Sequence, residues 1–189
     1  MTILIIYISG KKKQCLTVDY NLNGKNNLHV LIVFRILELP GSTVNGIFGN
    51  DNGSGGDRYI AVIHNTNPKK LRIGHGSGRE DIFAFPRKAS PVTLNFSVLS
   101  VHYNTVQVTD SLVYCNGKYV ATFEEESNTG GENTFSVGSI SSNPTKNTFQ
   151  KCIAYFSLYH GRFAVKDVKI MHKYLSERYK TVHDPITIP

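Results

Sequence analysis

Three oxygen-bearing side chains lie close together in the glycine-rich segment 50–57, which reads NDNGSGGD. Asp51, Asn52 and Asp57 would supply hard oxygen ligands, and the glycines would let backbone carbonyls turn toward an ion. A calcium site needs about six to eight such oxygens. The spacing is not that of an EF-hand, and the same composition is also ordinary turn chemistry. The segment is therefore predicted to be a loop, with calcium binding as one of two interpretations.

Basic residues are concentrated in one third of the chain, on what we predict to be neighbouring short strands and connectors. Lys and Arg bind sulfates and carboxylates by charge, and Arg adds paired hydrogen bonds. These residues therefore predict a basic edge that binds anions, although a solvated face without a ligand is the alternative. They are Lys69, Lys70, Arg72, Arg79, Arg87 and Lys88.

A third group of polar and aromatic residues could hold a neutral sugar. Tyr103 would stack against the sugar ring, and Asn128 would bond to its hydroxyls. His75, Asn104 and Asn133 could assist from predicted loops or strand ends. The chain contains no Trp, the best stacking residue, so strand-end surface residues without a ligand are the favoured interpretation.

Catalytic patterns are weak in this sequence. Retaining glycosidases use two carboxylates about 5 Å apart, whereas Glu80 and Asp81 are adjacent in sequence and the acidic run 124–126 begins a loop. Ser54 and Ser77 are flanked by glycines but lack the strand-to-helix turn of a serine nucleophile. We therefore expect a binding protein rather than an enzyme.

The composition favours a single β-rich domain. The chain has 189 residues, 40% of them hydrophobic, a size at which β-sandwiches commonly form one unit. Its net charge of +7 would attract anionic partners such as acidic glycans, nucleic acid or a membrane surface. No zinc-finger, RRM or KH pattern is present, so nucleic acid is not expected.

The cysteines, the N-terminal segment and the glycosylation sequons bear on the cellular environment of the protein. Three cysteines cannot all pair within the chain, and we predict Cys115 and Cys152 to be small apolar strand residues. The apolar run 2–8 is too short to span a bilayer and is predicted to be the first strand. Glycosylation sequons at Asn52 and Asn95 are compatible with an extracellular or surface-exposed location, as part of a larger protein.

The segment 153–179 organises the predicted architecture. It begins as a strand, 153–160, that is apolar on both faces, and after Gly161 its period becomes helical, with Val168, Met171, Leu175 and Tyr179 on one narrow face. Elsewhere roughly a dozen short strands are separated by turn residues, which is typical of a β-sandwich. We predict one domain over 1–179 and a tail or linker over 180–189.

The C-terminal half carries three motifs whose order along the chain indicates a resemblance to a known superfamily. They are the hairpin VYCNGKYV at 113–120, the strand FSVG at 135–138, and the strand and helix at 153–179. In that order they resemble the concanavalin A-like lectin/glucanase superfamily, in particular its laminin G-like domains. One departure is Ala164, which stands where the family's pattern leads us to expect a Ser, Thr or Asp helix cap.

The resemblance implies an all-β, two-sheet antiparallel jelly-roll sandwich with one short C-terminal helix. It also implies that calcium at a loop rim and binding to heparin are possible. We therefore hypothesise a non-catalytic recognition or adhesion module that binds an anionic glycan or a protein partner. A structural or oligomerisation domain of a surface or fibre protein is the second hypothesis, and a glycan-degrading enzyme is the third.

Overall fold

A computed structural model describes residues 2–4, 8–9, 15–22, 27–36, 44–51, 59–64, 70–75, 78–84, 96–103, 111–123, 134–141 and 151–180. These residues form thirteen strands and one helix. In chain order they are β1 Thr2–Leu4, β2 Ile8–Ser9, β3 Leu16–Val18, β4 Leu28–Ile36, β5 Val44–Gly49, β6 Tyr59–His64, β7 Lys70–His75, β8 Gly78–Ala84, β9 Ser97–Tyr103, β10 Ser111–Cys115, β11 Lys118–Phe123, β12 Phe135–Val137, β13 Lys151–His160 and α1 Val165–Tyr179.

The strands form two sheets. Sheet A has the order β1-β13-β4-β9-β10-β11, with β2 also paired to β13, and sheet B has the order β3-β12-β5-β6-β7-β8. Every pairing is antiparallel, and strands distant in sequence are neighbours within both sheets. The predicted two-sheet jelly-roll sandwich with a C-terminal helix is confirmed.

The main core lies between the sheets, because each strand alternates its side chains between the two faces. In β4, Val30, Ile32 and Phe34 belong to this core, whereas Leu31 and Val33 belong to a second cluster on the other side of sheet A. This central strand is therefore buried on both faces.

Helix α1 packs on the outer face of sheet A. Leu175, with Met171 and Tyr179 beside it, contacts the second cluster, and the Tyr179 hydroxyl donates to the Ala154 carbonyl at 3.1 Å. Ala164 precedes the helix in extended conformation and makes no side-chain capping bond, as the sequence predicts. The apolar face of α1 is thus occupied by the sheet.

Strand β12 ends at Val137, directly before the glycine of the FSVG motif at 135–138. Gly138 takes a φ of 90°, and the chain then crosses sheet B so closely that a Cβ on Gly46 would collide with the backbone of Ile140. Ile140 packs there against Ile60 and Val62. The glycine in β5 therefore permits a crossing that the local pattern of 134–140 does not reveal.

The cysteines are free thiols. Cys115 and Cys152 are buried in β10 and β13, as predicted, and Cys15 is half-buried. Of the predicted tail 180–189, Lys180 is described, as the C-cap of α1, and 181–189 lie outside the described residues. The single domain over 1–179 stays a prediction.

Candidate functional site

The basic edge is built on strand β7. Leu71 and Ile73 are fully buried in the core between the sheets. The alternate positions, Lys70 and Arg72, are half-buried and therefore lie on the outer face of sheet B. The strand is thus anchored through its apolar positions while its two cations stand side by side.

Strand β8 is the neighbour of β7 in sheet B. Arg79 pairs in register with Gly74, two positions from Arg72, and Asp81 is the register partner of Arg72. The structure therefore brings together three of the six predicted basic residues on adjacent strands; Lys69, Arg87 and Lys88 lie outside the described residues.

Only the first residues of the predicted calcium loop are described. Asn50 is fully buried, and its Oδ1 accepts a hydrogen bond from the Tyr59 N–H at 2.7 Å. Asp51 is 8% exposed, and its N–H donates to the Ile140 carbonyl at 2.6 Å. Asn52 and Asp57 lie outside the described residues. The loop therefore leaves β5 from a rigid base, and its calcium binding stays a prediction.

Tyr103 is a core residue, so the prediction that it binds a sugar is wrong. Its side chain is fully buried, packed edge-on against Tyr59 at 4.9 Å between ring centroids. Its hydroxyl donates to the Ile60 carbonyl at 3.2 Å. A ring held between the sheets has no face free to stack on a sugar. Asn128, Asn104 and Asn133 lie outside the described residues.

A cluster of three buried histidines, which the sequence analysis missed, lies between α1 and sheet A. His29 in β4 and His102 in β9 are register partners, with their ring centroids 6.1 Å apart. His172 approaches from α1, and all three rings are at most 4% exposed. The available signals were a histidine within the apolar run of β4 and another one turn after Val168 in the helix.

Hydrogen bonds fix His172 in a neutral form. The Gly117 N–H donates to His172 Nδ1 at 2.9 Å, so the ring proton must be on Nε2, which lies 2.8 Å from Ser100 Oγ. Burial lowers the pKa of His172 from 6.5 to about 4. These bonds also tie the β10–β11 turn to the helix.

His29 is the most strongly perturbed member of the cluster. Neither of its ring nitrogens has a hydrogen-bond partner within the part of the chain that the structure describes. Burial above all, and then the neighbouring His102 and His172, lower its pKa from 6.5 to about 3. Its ring packs edge-on against Phe163, with centroids 4.9 Å apart. His29 and His172 are therefore neutral near pH 7.

The turn that contacts His172 has the conformation predicted from Asn-Gly. Asn116 and Gly117 have φ values of 48° and 80°, as a type I′ turn requires. Asn116 also exchanges two 2.8 Å hydrogen bonds with Val98 of β9, one through its N–H and one through its Oδ1. The hairpin is consequently held at a fixed position beside α1.

No group of three or more His, Cys, Asp or Glu placed to hold a metal ion is found in the described ranges. In those ranges, no helix has the length and apolar character needed to cross a membrane.

Comparison with known proteins gives structural matches alone. No protein-family model and no curated protein matches the sequence. The binding domain of botulinum neurotoxin serotype D superposes with a TM-score of 0.60 at 13% identity, over 85% of this chain and 40% of that chain. Botulinum neurotoxin type C, whose cell entry depends on two ganglioside molecules, gives 0.59 at 14% identity, over 92% and 45%.

An enzyme is among the structural matches. The Trypanosoma rangeli sialidase, in complex with 2,3-difluorosialic acid, gives a TM-score of 0.59 at 14% identity, over 81% of this chain and 23% of that chain. The chain thus spans less than half the length of each of these three proteins. At such identities the likeness establishes a shared β-sandwich fold.

Proposed function

We propose that this chain is a non-catalytic recognition module that binds an anionic glycan through the outer face of sheet B. The observation that carries the proposal is the pair of cations on β7, Lys70 and Arg72, which stand on the outer face of an anchored strand. Arg79 belongs to the adjoining strand, and Lys69, Arg87 and Lys88 extend the same basic sequence region. The net charge of +7 favours the approach of an anion.

The choice of a glycan as the ligand is supported by the fold that this chain shares with other proteins. The type C neurotoxin structure, which has the same sandwich fold, comes from a protein that interacts with gangliosides. We also propose that the sandwich is of the concanavalin A-like, laminin G-like type, since the hairpin, the strand ending at Gly138 and the terminal strand and helix occur in the expected order. An extracellular or surface location within a larger protein follows from the same proposal.

A binding role is favoured over catalysis by the placement of the candidate catalytic groups. Glu80 and Asp81 are consecutive residues of β8, whereas a retaining glycosidase needs two carboxylates about 5 Å apart. His102, which is 4% exposed, lies beneath α1 rather than in an open cleft. These observations support a binding role over a glycosidase.

The experiment is heparin-column retention measured as a function of salt. We compare the wild-type chain with Lys70→Gln/Arg72→Gln and with a control, Arg162→Gln/Arg178→Gln, which removes the same charge from exposed sites elsewhere. We expect the β7 variant to elute at clearly lower salt than the control, because ion pairing to sulfate falls with each cation removed. Equal elution of the two variants would refute the proposal.

A second candidate function is a structural or protein-interaction domain. The exposed side of α1 carries three large apolar side chains, Val165, Ile170 and Tyr174, which are 45%, 65% and 58% exposed. Such residues are typical of surfaces that contact other proteins. Concentration-dependent sedimentation that is abolished by Ile170→Glu would favour this function over glycan binding.

A further inference from the structure

Three lysines recur at helical spacing along α1. Lys166, Lys169 and Lys173 are separated by three and four residues, so they lie on one flank of the helix, along about 10 Å of its axis. All three side chains are exposed. None of them is paired with a carboxylate among the residues that the structure describes. They form a row of ammonium groups.

The packing of the helix shows which way this flank faces. At about 100° per residue, Lys169 and Lys173 lie on one side of His172, whereas Met171 and Leu175 lie on the other. Met171 and Leu175 contact the cluster formed by the central strands β4, β9 and β13. His172 itself meets the turn of the β10–β11 hairpin through Gly117. The lysine flank therefore adjoins the hairpin.

The hairpin contributes an aromatic ring beside that flank. Tyr119 is 55% exposed, and its ring is held edge-on against Tyr114 at 5.9 Å between centroids. Tyr114 lies in turn against the His172 ring, at 6.4 Å. The aromatic contacts therefore place Tyr119 next to the helix with most of its ring surface open to solvent.

We propose that this helix–hairpin surface is a second anion-binding site, which takes a sulfated glycan chain. The surface consists of Tyr119, Lys166, Lys169 and Lys173. The row of ammonium groups would pair with successive sulfates, and Tyr119 would stack on one sugar ring. The proposal does not depend on the basic edge of β7, because the two surfaces share no residue and lie on different sheets.

Other polyanions fit this surface less well. Single-stranded nucleic acids are usually bound by successive aromatic platforms, whereas this surface offers one exposed ring beside three lysines. An amphipathic helix on a membrane inserts its apolar face, but that face of α1 is packed on sheet A. Lysine is a compact point charge that pairs with sulfate without demanding paired geometry.

The test is the affinity of the purified protein for a size-defined, fluorescent heparin oligosaccharide, measured by anisotropy. Lys169→Gln/Lys173→Gln should weaken binding about fivefold or more, since each exposed ion pair contributes up to about fivefold. Tyr119→Ala should also weaken binding relative to the wild-type chain, because it removes the stacking ring. Glu177 lies one turn after Lys173 on the outer border of the row, so Glu177→Gln should tighten binding.

The matched control is Arg162→Gln/Arg178→Gln, which removes two exposed charges outside this surface. It should change the affinity less than twofold. The site would be overturned by equal losses of affinity in the control and in Lys169→Gln/Lys173→Gln. It would also be overturned if the Tyr119→Ala variant and the Glu177→Gln variant both kept the wild-type affinity.

Three competitors decide the ligand class. A desulfated oligosaccharide, a thymidine homopolymer and phosphatidylserine vesicles are each added to the labelled complex. We expect weak competition from all three. Displacement by the homopolymer or the vesicles at concentrations as low as those of unlabelled heparin would overturn the assignment to a sulfated glycan. The Lys70→Gln/Arg72→Gln variant separates this result from the β7 proposal, because it leaves the helix–hairpin surface intact.

Discussion

Acidification from pH 7.5 to pH 5 should destabilise this protein through the buried histidines. His29 and His172 have folded pKa values of about 3 and 4, well below the unfolded value of 6.5. The unfolded chain therefore binds more protons than the folded one within this range. Their contribution to stability is complete above pH 6.5, falls as the pH decreases below that value, and is lost once the pH passes the folded pKa values.

The size of the effect follows from the same pKa values. By proton linkage, each histidine removes about 2 kcal/mol from the free energy of unfolding at pH 5. The two together remove about 4 kcal/mol, a large part of the 5 to 15 kcal/mol that is typical of folded domains. For a chain of this size, that corresponds to a decrease of roughly 8 to 16 °C in Tm.

The geometry explains why protonation is resisted. A proton on His172 Nδ1 would face the Gly117 N–H, so two donors would meet where a hydrogen bond now exists. His29 has no acceptor for an added proton among the described residues, and its aromatic neighbour Phe163 cannot supply one. Charges on His102 and His172 would add repulsion.

The assay is thermal unfolding by circular dichroism at several pH values between 5 and 7.5, where most carboxylates remain ionised. His29→Leu should roughly halve the change in Tm across this range, because it removes one of the two perturbed groups. His160→Gln, which alters an exposed histidine, serves as the control and should leave the change intact. The reasoning is refuted if His29→Leu retains the full wild-type dependence, or if both variants flatten it equally.

Three further measurements test the packing. Gly46→Ala should lower the free energy of unfolding by about 2 kcal/mol in urea, because its Cβ would overlap the Ile140 backbone; an unchanged midpoint would contradict that crossing. Tyr103→Phe should cost about 1 kcal/mol for the lost hydrogen bond and leave heparin binding unchanged, whereas weaker binding would return this residue to the ligand site. Iodoacetamide should modify half-buried Cys15 in the native protein but spare Cys115, whose pKa burial raises to about 12. Mass spectrometry of the treated protein checks this, and modification of Cys115 but not of Cys15 would contradict it.

Local patterns predict the elements whose structure depends on nearby residues. Asn116 and Gly117 prefer positive φ, so the hairpin could be placed from two letters of sequence. The helical period of Val168 and Leu175 identifies the face of α1 that meets the sheet. The alternation in β7 separates Leu71 from Lys70, so the basic edge also has a local signal.

The misplaced residue, Tyr103, shows the limit of such patterns. A tyrosine at the end of a predicted strand has the same local sequence whether its ring faces solvent or the opposite sheet. The contact with Tyr59 that buries it joins strands from different sheets, which are more than forty residues apart. Its role was therefore decided by how the sheets stack.

The sequence by itself determined the fold class, the hairpin, the terminal helix and the excess of positive charge, because these depend on composition and on short-range periodicity. Tertiary structure alone decided which residues share a surface. The approach of Gly117 to His172 joins segments 55 residues apart and brings the hairpin beside α1, where three histidines are buried against sheet A. Such neighbourhoods arise when separate elements pack their apolar faces together, and no local preference encodes them.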